Sequence, residues 1–320
     1  ACVRDKNNPA KVEHLLDLNY DGMRGSVSLY EADLFKPGSY DEAFKGCAAV
    51  IHAGATVGFN KETPQEVYDG CFKENAHVIE SVKRSGSVKR FVFTSSFAAV
   101  SHPRPEGYVF TEKDWCGDNI EAYKGRWSEA QISENRDIAY AMAKANSEKL
   151  IYAEAEADGS FEALAILPLH VVGPLIAPNH DQPWSWQNHI KGMMLGKAYR
   201  GGREGRMLWN SADVRDVARA HRLSIETTIG SNGSRYIMAA ADRSGELYTW
   251  QLQALLESMY PMVDEIGGEP MVEDMPVKPT YDAPRAYCLL AMQELGLEPF
   301  DIETTIRDTV DSYYSLGIIG

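Results

Sequence analysis

A chain of 320 residues, 44% hydrophobic and 24% charged, has a globular composition, enough for one large core or two unequal lobes, and not that of a disordered segment. Its formal charge of −14 excludes nucleic acid and anionic membrane as partners held through a broad electrostatic surface, and leaves room only for a local anion pocket. No apolar stretch approaches the roughly 18 residues of a membrane span and no signal-peptide pattern is visible, so a cytoplasmic protein is expected.

The first half alternates short β-rich runs with helical patterns, the signature of a parallel sheet wound with crossover helices. Strands are expected over 1–4, 26–31, 49–52, 91–94 and 162–167. The stretch 9–17 carries Pro9 in its first turn and spaces Val12, Leu15 and Leu16 on one face, which predicts an amphipathic helix. Longer helices are expected over 65–84 and 133–157. After Pro168 come loops rich in Pro, Gly, Trp and Met over 173–205, then short alternating elements, which predicts a smaller second lobe. Repeats, low-complexity tracts and charge blocks are absent from the sequence. Cys2, Cys47, Cys71, Cys116 and Cys288 are scattered and odd in number, so they read as reduced thiols, with neither a disulfide framework nor a metal site.

A dinucleotide fold normally opens with a strand, a Gly-x-x-Gly-x-x-Gly turn and a helix whose N-terminus receives the pyrophosphate. This sequence shows no such segment. Gly201-Gly202-Arg-Glu-Gly205 is glycine-rich, but it falls late and reads as a turn.

Tyr140 and Lys144 lie four residues apart in a predicted helix and therefore share a face. The strand-like run Phe91-Val-Phe-Thr-Ser-Ser96 ends in a hydroxyl cluster. A Ser, Tyr and Lys set can protonate a carbonyl oxygen while a nicotinamide delivers hydride. A phenol of ordinary pKa about 10 is a poor acid or base at neutral pH unless a cation stabilises its phenolate, and Lys144 is placed to supply one. By itself Tyr-x-x-x-Lys is a weak signal, and its context decides.

That context resembles an extended short-chain dehydrogenase/reductase of the dihydroflavonol reductase, cinnamoyl-CoA reductase and aldehyde reductase branch. The likeness runs through Val3-Arg-Asp5, Ala32-Asp-Leu34, Val50-Ile-His-Ala-Gly-Ala55, Phe91 to Ser96, Tyr140-x-x-x-Lys144, Leu167-Pro-Leu-His-Val-Val-Gly-Pro174, Val214-Arg-Asp-Val217 and Glu294-Leu-Gly-Leu-Glu-Pro299. The resemblance implies an α/β fold, a Rossmann-type doubly wound parallel sheet, with an NADP-binding domain over 1–168. Residues 169–320 are then mainly a substrate-binding lobe, with elements at about 206–240 returning to complete the first domain. It also places residue 1 in the family's second strand, so the first strand, the Gly-rich turn and the first helix, about 25 residues, are expected to be missing. The expected consequence is a split sheet, because the family's first strand sits between its second and fourth. A natural variant with its own phosphate clamp is the alternative, and another strand in that slot would favour it.

The resemblance assigns catalysis to Ser96, Tyr140 and Lys144. Tyr140 is the proton donor in reduction, Lys144 its electrostatic tuner and a ribose ligand, and Ser96 the hydrogen-bond donor to the substrate oxygen. Arg4 ends the second family strand and, with Lys11, would neutralise a ribose 2′-phosphate, which favours NADP(H); a solvated Arg4 followed by Asp5 is the alternative. Asp33 and Leu34 would border the adenine, Ala53, Gly54 and Ala55 would let the backbone approach the cofactor, and Pro168 and Val171 would flank the nicotinamide. For each, strand-end packing is the competing reading. Asp216 is assigned a structural role.

The substrate half departs from the family. Ser101 stands where dihydroflavonol reductases place Asn, the Asn-Trp-Tyr-Cys signature of cinnamoyl-CoA reductases is replaced by Arg136-Asp-Ile-Ala139, and Phe97 replaces a small residue, which would narrow the pocket. His170, Trp184, Trp186, Met193 and Met194 are candidates to line a pocket for an aromatic or aliphatic carbonyl compound, with lobe packing as the alternative. Arg200, Arg203 and Arg206 read as a solvated loop. The leading expectation is NADPH-dependent reduction of an aldehyde or ketone by a monomer or homodimer. Competing readings are a nucleotide-sugar epimerase, a 3β-hydroxysteroid dehydrogenase-like enzyme and a non-catalytic NADPH sensor.

Overall fold

Phe91, Val92 and Phe93 are almost fully buried, as expected of a strand covered on both faces, and they lie in a parallel pair with Ala49–His52, where Val50 and His52 are buried and Ile51 is exposed. The computed structural model describes residues 1–22, 24–55, 63–101, 104, 107–117, 136–198, 208–268 and 285–320. Its strands are β1 (Cys2–Val3), β2 (Tyr30–Glu31), β3 (Ala49–His52), β4 (Arg90–Thr94), β5 (Val109–Phe110) and β6 (Glu162–Pro168). They continue with β7 (His170–Val172), β8 (Leu208–Trp209), β9 (Ser211–Asp213), β10 (Arg235–Met238), β11 (Leu247–Tyr248) and β12 (Arg285–Ala286).

The chain divides into two compact units, one of Ala1–Ser95, Lys124–Ala165 and Gly230–Ser234, the other of Ser96–Tyr123, Ile166–Ile229 and Arg235–Gly320. In the first, β1 pairs with β2 and β3 with β4, both in parallel. Among the described residues, β1–β2 forms a sheet of its own, while β3 is the edge of a four-stranded sheet of order β10-β6-β4-β3. Strand β2 is shorter than the expected 26–31. The Asn19 side chain accepts from Val27 N–H at 2.6 Å and donates to Val27 C=O at 3.0 Å, which withdraws that residue from a ladder.

Helices α1 (Pro9–Leu16), α2 (Asp41–Phe44), α3 (Pro64–Ser85) and α4 (Arg136–Asp158) complete this unit. The expected start of α4 at 133 lies outside the described residues. Helix α3 begins at a capping box, with Thr63 Oγ1 accepting from Glu66 N and Glu66 Oε2 accepting from Thr63 N, and stops at Gly86 in the left-handed region. It buries Val67, Cys71, Val78, Ile79 and Val82, while α4 buries Ala139, Ala143, Ile151 and Ala155. Small side chains along α4 leave α3 room to approach closely.

The second unit holds three further strand pairs, β7–β9, β8–β11 and β5–β12. Its helices are α5 (Trp186–Met194), α6 (Val214–Glu226), α7 (Thr249–Met259), α8 (Leu289–Leu295) and α9 (Ile302–Ser315). Val172, Ile190, Trp209, Leu252, Leu256, Ile306 and Tyr313 form its core. Asp213 caps α6, and Asp216 accepts from Phe300 N at 2.8 Å, a bond that serves the fold.

Candidate active site

Helix α4 has no Pro or Gly within it, and its Tyr140 and Lys144 sit one turn apart as the spacing predicts. Tyr140 is half-buried and packs against a cluster of Val67, Ala139 and Tyr68. Lys144 is only 2% exposed. Its Nζ donates to the carbonyl of Thr94, the last residue of β4, at 3.1 Å, and lies 5.0 Å from the Phe93 ring centroid and 5.9 Å from that of Tyr140. A buried ammonium is thus met by a carbonyl oxygen and two aromatic rings, and it stands where it can stabilise negative charge on the Tyr140 oxygen.

Behind it the structure assembles a polar group that motif reading left without a role. His52, at the end of β3, is buried, stacked on Phe93 and paired through Nε2 with Asn75 Oδ1 at 3.0 Å. The Asn75 amide nitrogen donates to Cys71 O and to Ser147 Oγ, so Oδ1 faces the imidazole and Nε2 carries the proton. Burial, and secondarily the Lys144 charge, push the His52 pKa down to about 4, which keeps the ring neutral. Ser95 donates to the buried Glu148. The helical spacing of Lys144, Glu148 and Tyr152 was available in the sequence, but which side chains meet across α3, α4 and β4 was not.

The expected cofactor positions of this unit lie at or after the carboxyl ends of its strands. Arg4 is exposed just past β1, and Lys11 is exposed on α1. The neighbouring Asp5 is engaged locally, its carboxylate accepting from Asn7 N at 2.9 Å. Asp33 folds into its own turn, accepting from Phe35 N at 2.9 Å, while the Leu34 carbonyl meets His77 Nδ1 at 2.9 Å. A Cβ on Gly54 would stand 3.5 Å from Leu34 Cδ1 and 3.8 Å from His52 Cε1, so the loops after β2 and β3 converge. Exposed Ala53 and half-buried Ala55 flank that contact.

In the second unit, Ser96 caps the short turn Phe97–Ala99 by accepting from Ala98 N at 3.1 Å, which leaves its hydroxyl proton free to be donated elsewhere. Ser101 is half-buried. Phe97 differs from the expectation: it is 5% exposed and packs edge-on against Phe110, so it fills the core instead of narrowing a pocket. Met193 and Met194 are likewise core residues. His170 and Trp186 are brought together, with ring centroids 3.7 Å apart, and His189 lies on the other indole contact at 5.4 Å. The His170 residue keeps some exposure, but its Nδ1 is shut from solvent, and burial with the nearby His189 pushes its pKa down to about 3. Trp184, by contrast, is 54% exposed. Pro168 is buried at the end of β6, and Val171 is half-buried opposite Ala212 in the β7–β9 pair. The Gly201–Gly205 turn and the Arg200, Arg203 and Arg206 loop lie outside the described residues.

Among the described residues, no cluster of His, Cys, Asp and Glu is arranged to hold a metal ion, and no helix is long and apolar enough to cross a membrane. The profile of the NAD dependent epimerase/dehydratase family matches residues 2–239. The chain is 29% identical to cinnamoyl-CoA reductase CAD2 of Medicago truncatula over 322 aligned positions, covering 98% of this chain and 86% of that protein. It is 32% identical to a dihydroflavonol 4-reductase of Arabidopsis thaliana over 177 positions, 55% of this chain and 43% of the other. In three dimensions it resembles the yeast methylglyoxal/isovaleraldehyde reductase Gre2, solved with NADPH, at a TM-score of 0.77 and 19% identity, over 99% of this chain and 92% of that one.

Proposed function

The chain belongs to the NAD dependent epimerase/dehydratase family, and we propose that it is an NADPH-dependent reductase that converts an aldehyde or ketone to the alcohol. The observation that carries this reading is the buried Lys144 ammonium, held by the Thr94 carbonyl within 5.9 Å of the Tyr140 ring. The reductase names of the relatives support it.

NADPH, when bound, supplies the hydride for the carbonyl carbon. Tyr140 gives its hydroxyl proton to the carbonyl oxygen, and the Lys144 ammonium stabilises the phenolate that remains. Ser96 donates a hydrogen bond to the same oxygen as negative charge grows there. The residues present fit the ribose and 2′-phosphate end of the cofactor: exposed Arg4 and Lys11 offer cationic donors beside β1, and the converging loops at Asp33, Leu34 and Ala53–Ala55 border the adenine. Pro168 and Val171 would flank the nicotinamide. The His170 and Trp186 rings, in contact with each other, offer an apolar wall suited to an aromatic or aliphatic carbonyl, and Trp184, Ser101 and Phe97 remain the other candidates to line the substrate pocket. The five cysteines, none in a disulfide, accord with a reducing cytoplasm, and the protein works as a monomer or homodimer.

The test follows NADPH oxidation against a panel of aldehydes, diketones, dihydroflavonols and UDP-sugars, alongside an Arg4→Ala variant. Turnover of a carbonyl substrate is expected, and Arg4→Ala is expected to weaken NADPH by about tenfold or more while leaving NADH nearly unchanged. Equal loss of both cofactors would refute the role of Arg4. Binding of NADPH without turnover of any carbonyl would refute the reductase and favour a sensor.

A further inference from the structure

Glu148 takes no part in the chemistry above, yet it is fully buried on α4, one turn beyond Lys144. The Ser95 hydroxyl donates to one of its oxygens, and the Tyr152 hydroxyl reaches the other at 3.4 Å. Burying a carboxyl group is costly unless hydrogen bonds replace its water, so this one is retained with its donors around it.

What Glu148 holds is the end of β4. The register of β3 with β4 runs from Ala49 opposite Arg90 to His52 opposite Phe93, so Thr94 and Ser95 lie beyond it. Thr94 supplies the carbonyl that receives the Lys144 ammonium. Ser95, the next residue, is tied to Glu148. Thr94, the last residue of β4, and Ser95, the first beyond it, are therefore pinned to one helix by contacts a single turn apart, Lys144 to Thr94 and Glu148 to Ser95. Release of the second contact loosens the exit of β4 next to the Thr94 carbonyl, and a small shift of that carbonyl decides where the ammonium sits against Tyr140.

We propose that Glu148 is a positioning residue: its carboxyl group clamps Ser95, and through Ser95 the Thr94 carbonyl, so that Lys144 is held at Tyr140. The proposal deepens the reductase reading and rests on it for its catalytic meaning, while the clamp itself is testable without turnover. The readouts are the rate of acylation of Lys144 by a soluble amine reagent, followed by peptide mass spectrometry, and the steady-state constants for a carbonyl substrate. Ser95→Ala and Glu148→Leu cut the clamp, whereas Ser95→Thr keeps a donor and Glu148→Gln keeps an acceptor.

The cutting variants are expected to raise acylation of Lys144 by about tenfold or more and to lower kcat by roughly 10- to 100-fold with KM changed by less than about threefold, as a misplaced catalytic group would. The conserving variants are expected to stay near wild type in both. A Ser95→Ala protein with wild-type protection and kcat overturns the proposal. So does a Glu148→Gln protein as damaged as Glu148→Leu, since charge and not the clamp would then be at work. If the wild type turns over no carbonyl compound, the reductase reading fails, and the acylation rates still decide whether the clamp exists.

Discussion

Tyr140 is the position whose removal should be felt in chemistry and not in folding. Tyr140→Phe deletes one oxygen from a half-buried ring and leaves its packing on Val67 and Ala139 intact. Turnover is expected to fall by about 10²- to 10⁴-fold, the usual worth of a positioned proton donor, with an unchanged circular dichroism spectrum. An unaltered kcat would remove Tyr140 from the mechanism. His52 makes a different prediction, in stability. Its pKa falls on folding from 6.5 to about 4, so below 6.5 the unfolded chain binds a proton that the folded chain does not. Stability is therefore lost as pH falls from 6.5 towards 4, by a total of about 3 kcal/mol from this group, and levels off below. Chemical denaturation across that window should show a shallower decline for His52→Gln than for the wild type, and parallel curves would contradict the assignment. The Tyr140 and Lys144 pair was legible from its spacing. His52 was not, because its burial and its neighbours come from distant segments: Asn75, which pairs with it, lies 23 residues along the chain, and Ser147, which pairs with Asn75, a further 72.

Elements with their own start and stop signals follow the sequence closely. Thr63, Pro64 and Gly86 mark α3 at both ends, and the expected 65–84 differs from Pro64–Ser85 by one residue at each end. Strand β2 departs from its expectation because the Asn19 side chain, eight residues before Val27, claimed that residue's backbone groups. Gly173 shows the same limit in a loop that links elements. It stands in the quoted Leu167–Pro174 motif, but only the folded chain shows why it is glycine: its φ is +116°, and a Cβ there would come within 2.9 Å of Val214 Cγ1 and 3.1 Å of Val214 N. Gly173→Ala is expected to cost about 2 kcal/mol or more, since backbone strain and a clash with backbone act together. A melting temperature equal to wild type would show that the turn relaxes at no cost.

Over the whole molecule, a charge of −14 predicts that neither duplex DNA nor anionic vesicles will retain the protein at physiological salt. A mobility shift or co-sedimentation at that salt would show a local basic site strong enough to prevail. Alternation of β-rich and amphipathic runs, helix caps and the Tyr140 and Lys144 spacing are local properties, and the sequence by itself determined an α/β chain with that pair on one helical face. Periodicity of 2 or 3.6 residues needs no knowledge of distant neighbours. Folding decided the rest. The boundary at Ala165 and Ile166 falls close to the change of texture after Pro168, but no composition change marks the assignment of Ser96–Tyr123 to the second unit or the return of Gly230–Ser234 to the first. Phe97 became core because Phe110 was there to cover it, and Lys144 became a buried cation because the Thr94 carbonyl was there to receive it. A residue's burial and partners depend on contacts between elements distant in sequence, and those exist only once the chain has closed on itself.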